Sequence, residues 1–183
     1  TGFSASFAAR EPERVWGWIS MRPGNANQIL QPGGAEVPGM IMFGEDDPYF
    51  AKDNDQEIQQ RRISLVEQMR KDHAARWHCV VEPKTGHLPT ENTWPLVYAF
   101  LKHSFAARIP PDADPRQGPV KLKSVPLEDG CAGANWDPKL GGYQDLSVTP
   151  YENLPRDGQS ASWLIDEEYA RAWKAFQATG KAE

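Results

Sequence analysis

Three apolar runs of strand length constrain this chain more than any other feature: 14–21 (RVWGWISM), 37–43 (VPGMIMF) and 76–82 (RWHCVVE). Each is continuously apolar over several residues rather than alternating, the pattern of a strand buried on both faces. Between the second and third, Ile58, Arg62, Leu65, Val66 and Met69 recur at helical spacing. They mark an amphipathic helix running to about Ala74, with Arg62 along the edge of its apolar face. After the third run, Asn92 or Thr93 can cap a helix with Pro95 in its first turn and Trp94, Val97, Tyr98, Leu101 and Phe105 on one face. A short helix is expected over 5–12. Residues 1–109 therefore predict an α/β unit, with strands near 14–20, 39–43 and 77–82 forming a parallel sheet flanked by helices. Sheets of this kind carry functional groups on the loops at the carboxyl ends of their strands.

The 183 residues can bury a sizeable core without disulfides or metals. A net charge of -5 argues against nucleic acid as the main partner, because phosphate binding needs a basic face. No run has the length of a membrane span. Cys79 lies within the third apolar run, so it reads as a buried free thiol rather than half of a bridge to Cys131. Residues 110–183 differ in composition. Prolines cluster in 110–126 and recur at Pro138, Pro150 and Pro155, interleaved with tryptophan, so an ordered wrapping extension is expected on the same domain. It includes a possible strand at 120–127 and a final helix near 166–177. The stripe of Tyr169, Ala172, Trp173 and Phe176 would dock that helix on the main body.

Candidate chemistry sits at three places. Gly2-Phe3-Ser4-Ala5-Ser6 is close to the G-x-S-x-G turn that projects a nucleophilic serine, with serine replacing the second glycine. A serine-rich helix cap is the structural alternative. Gly44-Glu45-Asp46-Asp47-Pro48 leaves the second buried run, and Gly86-His87 follows the third by a short loop. Serine, acid and histidine thus occur in that order, each at or just beyond the end of an element. Loop register leaves Asp46 open beside Asp47 as the acid, while Glu45 reads as a surface charge or turn ligand. His73 and His103 are expected to be solvated and His78 to be structural. The stretch 53–57 (DNDQE) lacks the glycine and distal glutamate of a calcium loop, so helix capping explains it better. Nothing in the sequence calls for a metal or other cofactor. Thr1 offers a separate possibility, an N-terminal threonine nucleophile using its own amine as base.

Together, GFSAS, MIMFGEDDP and KTGHLP make residues 1–109 resemble the C-terminal half of the α/β-hydrolase superfamily, from the nucleophile elbow onward. The resemblance implies Ser4 as nucleophile, Asp47 as acid and His87 as base, with the backbone N–H of Ala5 as one oxyanion donor. It implies hydrolysis of a small-molecule or polymer carboxylic ester through an acyl-enzyme, with no cofactor. The second oxyanion donor and the strands before the elbow would come from an N-terminal half of the same protein, acting as partner and covering a sheet edge beside Ser4. The extension, with ASWLIDEEYARAW, resembles those of secreted-type bacterial esterases, which favours an extracytoplasmic location. One of Trp16, Trp18 and Trp94 would line an aromatic or sugar-ester site. A non-catalytic binding or structural subunit is the rival expectation.

Overall fold

A computed structural model describes residues 2–23, 30–50, 56–155 and 158–182. The first half runs α1 (Gly2–Arg10), β1 (Trp18–Met21), β2 (Gly39–Gly44), α2 (Gln56–His73), β3 (Trp77–Glu82) and α3 (Thr93–Arg108). The three strands form a parallel sheet in the order β1-β2-β3, in register at Trp18 with Gly39 and Gly39 with Trp77. Every residue of β2 and β3 is buried, which explains their unbroken apolar character.

Side chains alternate across this sheet. Ile41, Phe43, Trp77, Cys79 and Val81 face a core that includes Ala5 and Ala8 of α1 and Ile63, Val66 and Met69 of α2. Met40, Met42 and Val80 face the opposite core, with Leu96, Val97 and Phe100 of α3. The molecule is a mixed α/β structure with helices on both faces of a parallel sheet.

Several boundaries and faces depart from the sequence expectation. Strand β1 starts only at Trp18, because Pro12–Arg14 forms a 3₁₀ turn with proline at its first position. Helix α1 starts at Gly2 rather than at Ala5 and takes Ser4 into its first turn. On α3 the buried set is Thr93, Leu96, Val97, Phe100, Ser104 and Arg108, whereas Trp94, Tyr98 and Phe105 are exposed. Aromatic residues on that outer face pack locally instead: Trp94 lies beside Tyr98, and Phe105 meets Trp16 edge to face.

Residues 120–127 form no strand. Only Val125 is buried there, and the amide of Lys123 bonds the carbonyl of Arg108 at the end of α3. The extension instead builds β4 (Cys131–Gly133) between β7 (Val148–Pro150) and β8 (Ser162–Leu164), all antiparallel. A separate hairpin pairs β5 (Trp136–Asp137) with β6 (Gly142–Tyr143). Helix α4 (Glu167–Thr179) is capped by Asp166, which accepts from the amide of Tyr169 at 2.8 Å, and ends at Gly180 in the left-handed region.

Tyr169, Ala172, Trp173 and Phe176 are all buried in the second core. The extension also contacts the backbone of β3. The amide of Cys79 donates to Ser162 Oγ at 3.4 Å, and Trp173 Nε1 donates to the Cys79 carbonyl at 3.4 Å. Both cysteines are free and buried, and burial pushes the Cys79 thiol far up. Among the described residues, no helix is long and apolar enough to cross a membrane.

His78 on β3 is fully buried and shares a 2.6 Å hydrogen bond with the Tyr169 hydroxyl. Burial pushes its pKa down to about 3 from 6.5. Between those values the unfolded chain binds a proton that the folded chain refuses, so stability is full above pH 6.5 and falls as pH drops toward 3. Urea unfolding of His78→Gln should show a smaller difference between pH 7.5 and pH 4.5 than the parent does. An equal or larger difference would remove His78 as the source of acid sensitivity.

Candidate active site

The carboxyl ends of β2 and β3 carry two loops that lie directly on one another. Glu45 N donates to the Glu82 carbonyl at 3.0 Å and Asp46 N to the Thr85 carbonyl at 2.9 Å. Lys84, in the left-handed region at φ 54°, donates its amide to Glu45 Oε2 at 2.8 Å, so Glu45 is a turn ligand. Gly44 makes this seating possible. A Cβ there would overlap the carbonyl oxygens of Thr85 and Gly86.

The result is a carboxylate–imidazole pair. His87 Nδ1 lies 3.0 Å from Asp47 Oδ2 and 3.2 Å from Oδ1. The Asp47 side chain is 1% exposed and that of His87 is 44% exposed. Asp47 Oδ1 also accepts from the Tyr49 amide at 2.9 Å, and the Asp47 carbonyl accepts from Phe50 N at 2.8 Å. These turn bonds hold Asp47 and its carboxylate in addition to the contact with the histidine. The Tyr49 ring tilts against the imidazole, with centroids 4.9 Å apart. Asp46 is exposed and contributes its backbone to the loop contact.

Arg62 supplies a nearby cation. Burial lowers its pKa, while attraction to Asp47 opposes that shift. Its Nη1 donates to the Pro23 carbonyl at 3.0 Å, and its guanidinium lies over the Phe43 ring. In the neutral tautomer whose Nδ1–H donates to Asp47, the other ring nitrogen of His87, Nε2, carries the lone pair. A half-exposed imidazole in that tautomer can accept a proton from a neighbouring hydroxyl.

The Ser4 hydroxyl donates to the carbonyl of Ile19 at 2.7 Å. Trp18 N and Arg22 N both bond to β2 or the residue preceding it. Peptide groups alternate along a strand, so the Ile19 carbonyl faces the outer edge of β1. Ser4 therefore sits at that edge, and Ala5 follows it with its methyl group in the core. Trp18 is buried edge to face against Trp77, whereas Trp94 is exposed beside Tyr98.

The other sites named from the sequence fall as follows. His73 is exposed at the end of α2. His103, expected to be solvated, is instead tucked between α3 and α4, where Nδ1 lies 2.6 Å from Asp166 Oδ2. The cap of α4 gives that imidazole a partner that helix periodicity could not reveal. Thr1 and most of the 53–57 stretch lie outside the described residues. Among the described residues, no group of three or more His, Cys, Asp or Glu side chains could hold a metal.

Sequence reasoning missed a polar cluster of buried Arg22, Glu82 and Thr93 with half-buried Thr85 and Thr90 beneath the His87 loop. The available signal was a glutamate closing an otherwise apolar run and an arginine directly after WISM. Comparison with known proteins finds no matching family model, no similar curated protein and no similar solved structure.

Gly44→Ala should destabilise the fold by about 1–3 kcal/mol through overpacking of the two loops. A Cβ on Gly86 meets nothing within 4 Å, so Gly86→Ala should stay within about 0.5 kcal/mol of the parent. Chemical denaturation of the two variants checks this, and equal effects would contradict the close approach at Gly44.

Proposed function

We propose that this protein is a serine hydrolase of carboxylic esters, with Ser4 as nucleophile, His87 as base and Asp47 as acid on an α/β-hydrolase scaffold. The observation that carries this reading is the Asp47–His87 pair: a buried carboxylate against Nδ1 of a half-exposed imidazole. Both residues lie on loops from the carboxyl ends of adjacent parallel strands.

In the proposed reaction the Ser4 hydroxyl turns from the Ile19 carbonyl toward His87. Nε2 takes its proton as Oγ bonds to the ester carbonyl carbon, and the carbonyl oxygen becomes an oxyanion. Asp47 holds the tautomer and stabilises the imidazolium. Collapse of the tetrahedral species breaks the bond to the alcohol, which leaves with the proton from Nε2. Water then repeats the sequence to release the acid and restore Ser4. The Ala5 N–H is the proposed oxyanion donor, and such a donor is worth ~10²–10³ in rate.

The Ser4–Ile19 contact favours a second reading, in which Ser4 caps an edge-strand carbonyl in a non-catalytic binding or structural protein. A fluorophosphonate probe separates the two. The hydrolase reading expects covalent labelling at Ser4 and a loss of ~10⁴ or more in kcat/KM toward 4-nitrophenyl acetate in Ser4→Ala. Unlabelled Ser4, or full activity in Ser4→Ala, would favour the structural serine.

A further inference from the structure

His87 sits on a loop with little hold of its own. Gly86, His87, Leu88 and Pro89 are all exposed, and Leu88 is 77% exposed. The loop is held instead at its two shoulders, by a buried ion pair that reaches across the central strand. Arg22 leaves β1 in the left-handed region at φ 50°, and its Nη2 donates to Glu82 Oε2 at the end of β3. The two side chains are 3% and 2% exposed.

Each member of the pair grips the loop. Arg22 Nη2 also donates to Thr85 Oγ1 at 3.2 Å, and that hydroxyl donates to the Glu82 carbonyl at 3.0 Å. Glu82 Oε1 accepts from Thr90 Oγ1 at 2.6 Å. Thr93 Oγ1, at the start of α3, lies 2.8 Å from Glu82 Oε1 and 2.7 Å from Oε2, and it accepts from Thr90 N at 2.8 Å. The Thr85 carbonyl in turn receives Asp46 N from the acid loop. One carboxylate and one guanidinium thus fasten the loop two residues before His87 and three residues after it, while registering it against the loop of Asp47.

Stability alone does not account for this arrangement. A buried ion pair is often no more stable than apolar residues of the same volume, because desolvation offsets the attraction. Arg22 adds to that cost, since its Nε and Nη1 are buried with no hydrogen-bond partner among the described residues. Such a pair fixes geometry instead, because each charge and each hydroxyl has few ways of being satisfied. Catalytic groups need this kind of support, since a misplacement of about 1 Å can cost ~10²-fold in rate.

We propose that Glu82, paired with Arg22, is a positioning residue that holds Thr85 and Thr90 on either side of His87 and so fixes the imidazole between Asp47 and Ser4. This rests on the serine-hydrolase reading of His87 as base. Glu82 and Arg22 touch no reacting atom in this scheme; they act through the loop.

The test compares kcat and KM toward 4-nitrophenyl acetate, and the rate of Ser4 labelling by a fluorophosphonate, in the full-length protein. Thr85→Val and Thr90→Val keep side-chain shape and leave the ion pair intact, so they carry the test even if Glu82→Gln fails to fold. Each single valine variant should lower kcat by about 10-fold and the double variant by about 10²-fold, with KM within about 3-fold. Thr85→Ser and Thr90→Ser should restore kcat, because serine returns the hydroxyl. Amide exchange over 83–90 should quicken in the valine variants with the melting temperature little changed.

Unchanged kcat in the double valine variant, alongside an inactive Ser4→Ala, would overturn the positioning role and leave the hydrolase reading standing. A kcat loss that serine fails to restore would also overturn it. Full activity in Ser4→Ala would remove the hydrolase reading and this proposal with it.

Discussion

The seating of the Asp47 loop on the His87 loop is the contact on which the rest of the candidate site depends. Neighbouring parallel strands deliver their carboxyl ends side by side, so successive loops emerge within hydrogen-bonding reach. Gly44 lets them close the remaining gap, because its missing side chain leaves room for the Thr85 and Gly86 carbonyls. Two backbone bonds, from Glu45 and Asp46, then lock the loops together. With the loops held together in this way, Asp47 lies 3.0 Å from His87.

Hydrophobic burial makes the sheet rigid enough to hold this closure. Strand β2 is covered on both faces, by α1 and α2 on one side and by α3 and α4 on the other. The extension is part of this arrangement and not an appendage. Its Tyr169 and Trp173 complete the core under Met40 and Val80, while Ser162 and Trp173 satisfy the amide and carbonyl of Cys79. Losing the extension would expose that core and leave those backbone groups unpaired, a cost comparable to that of a lost buried hydrogen bond for each group.

Polar groups concentrate at the carboxyl end of the sheet. Asp47, Arg22 and Glu82 are buried within a few residues of the strand ends, and Arg62 lies close enough to feel the charge of Asp47. Buried charges are tolerated where each is paired or hydrogen-bonded. In contrast, His87 and Tyr49 remain open to solvent, so the end of the sheet presents a fixed carboxylate behind an accessible imidazole. That division between buried supports and an exposed imidazole is the physical basis of the proposed chemistry.

The sequence by itself determined the parallel α/β core and the docking stripe of α4. Strand burial and helical period are local patterns written directly in residue type, as in MIMF and HCVV or at Tyr169, Ala172, Trp173 and Phe176. Loop-borne Asp47 and His87 were legible as candidates because each follows a buried run by only a few residues. The tertiary structure decided what no local pattern records. It turned Leu96 and Phe100 inward instead of Trp94 and Tyr98, because the neighbouring α4 and β-sheet select which side of α3 is buried. It gave His103 the partner Asp166, left 120–127 outside any strand, and set the Ser4 hydroxyl on the Ile19 carbonyl. It also joined Arg22 to Glu82 across sixty residues of chain. Such pairings depend on which strand lies beside which and on how loops pack at their ends. Those long-range relations arise only when the whole chain closes around its core.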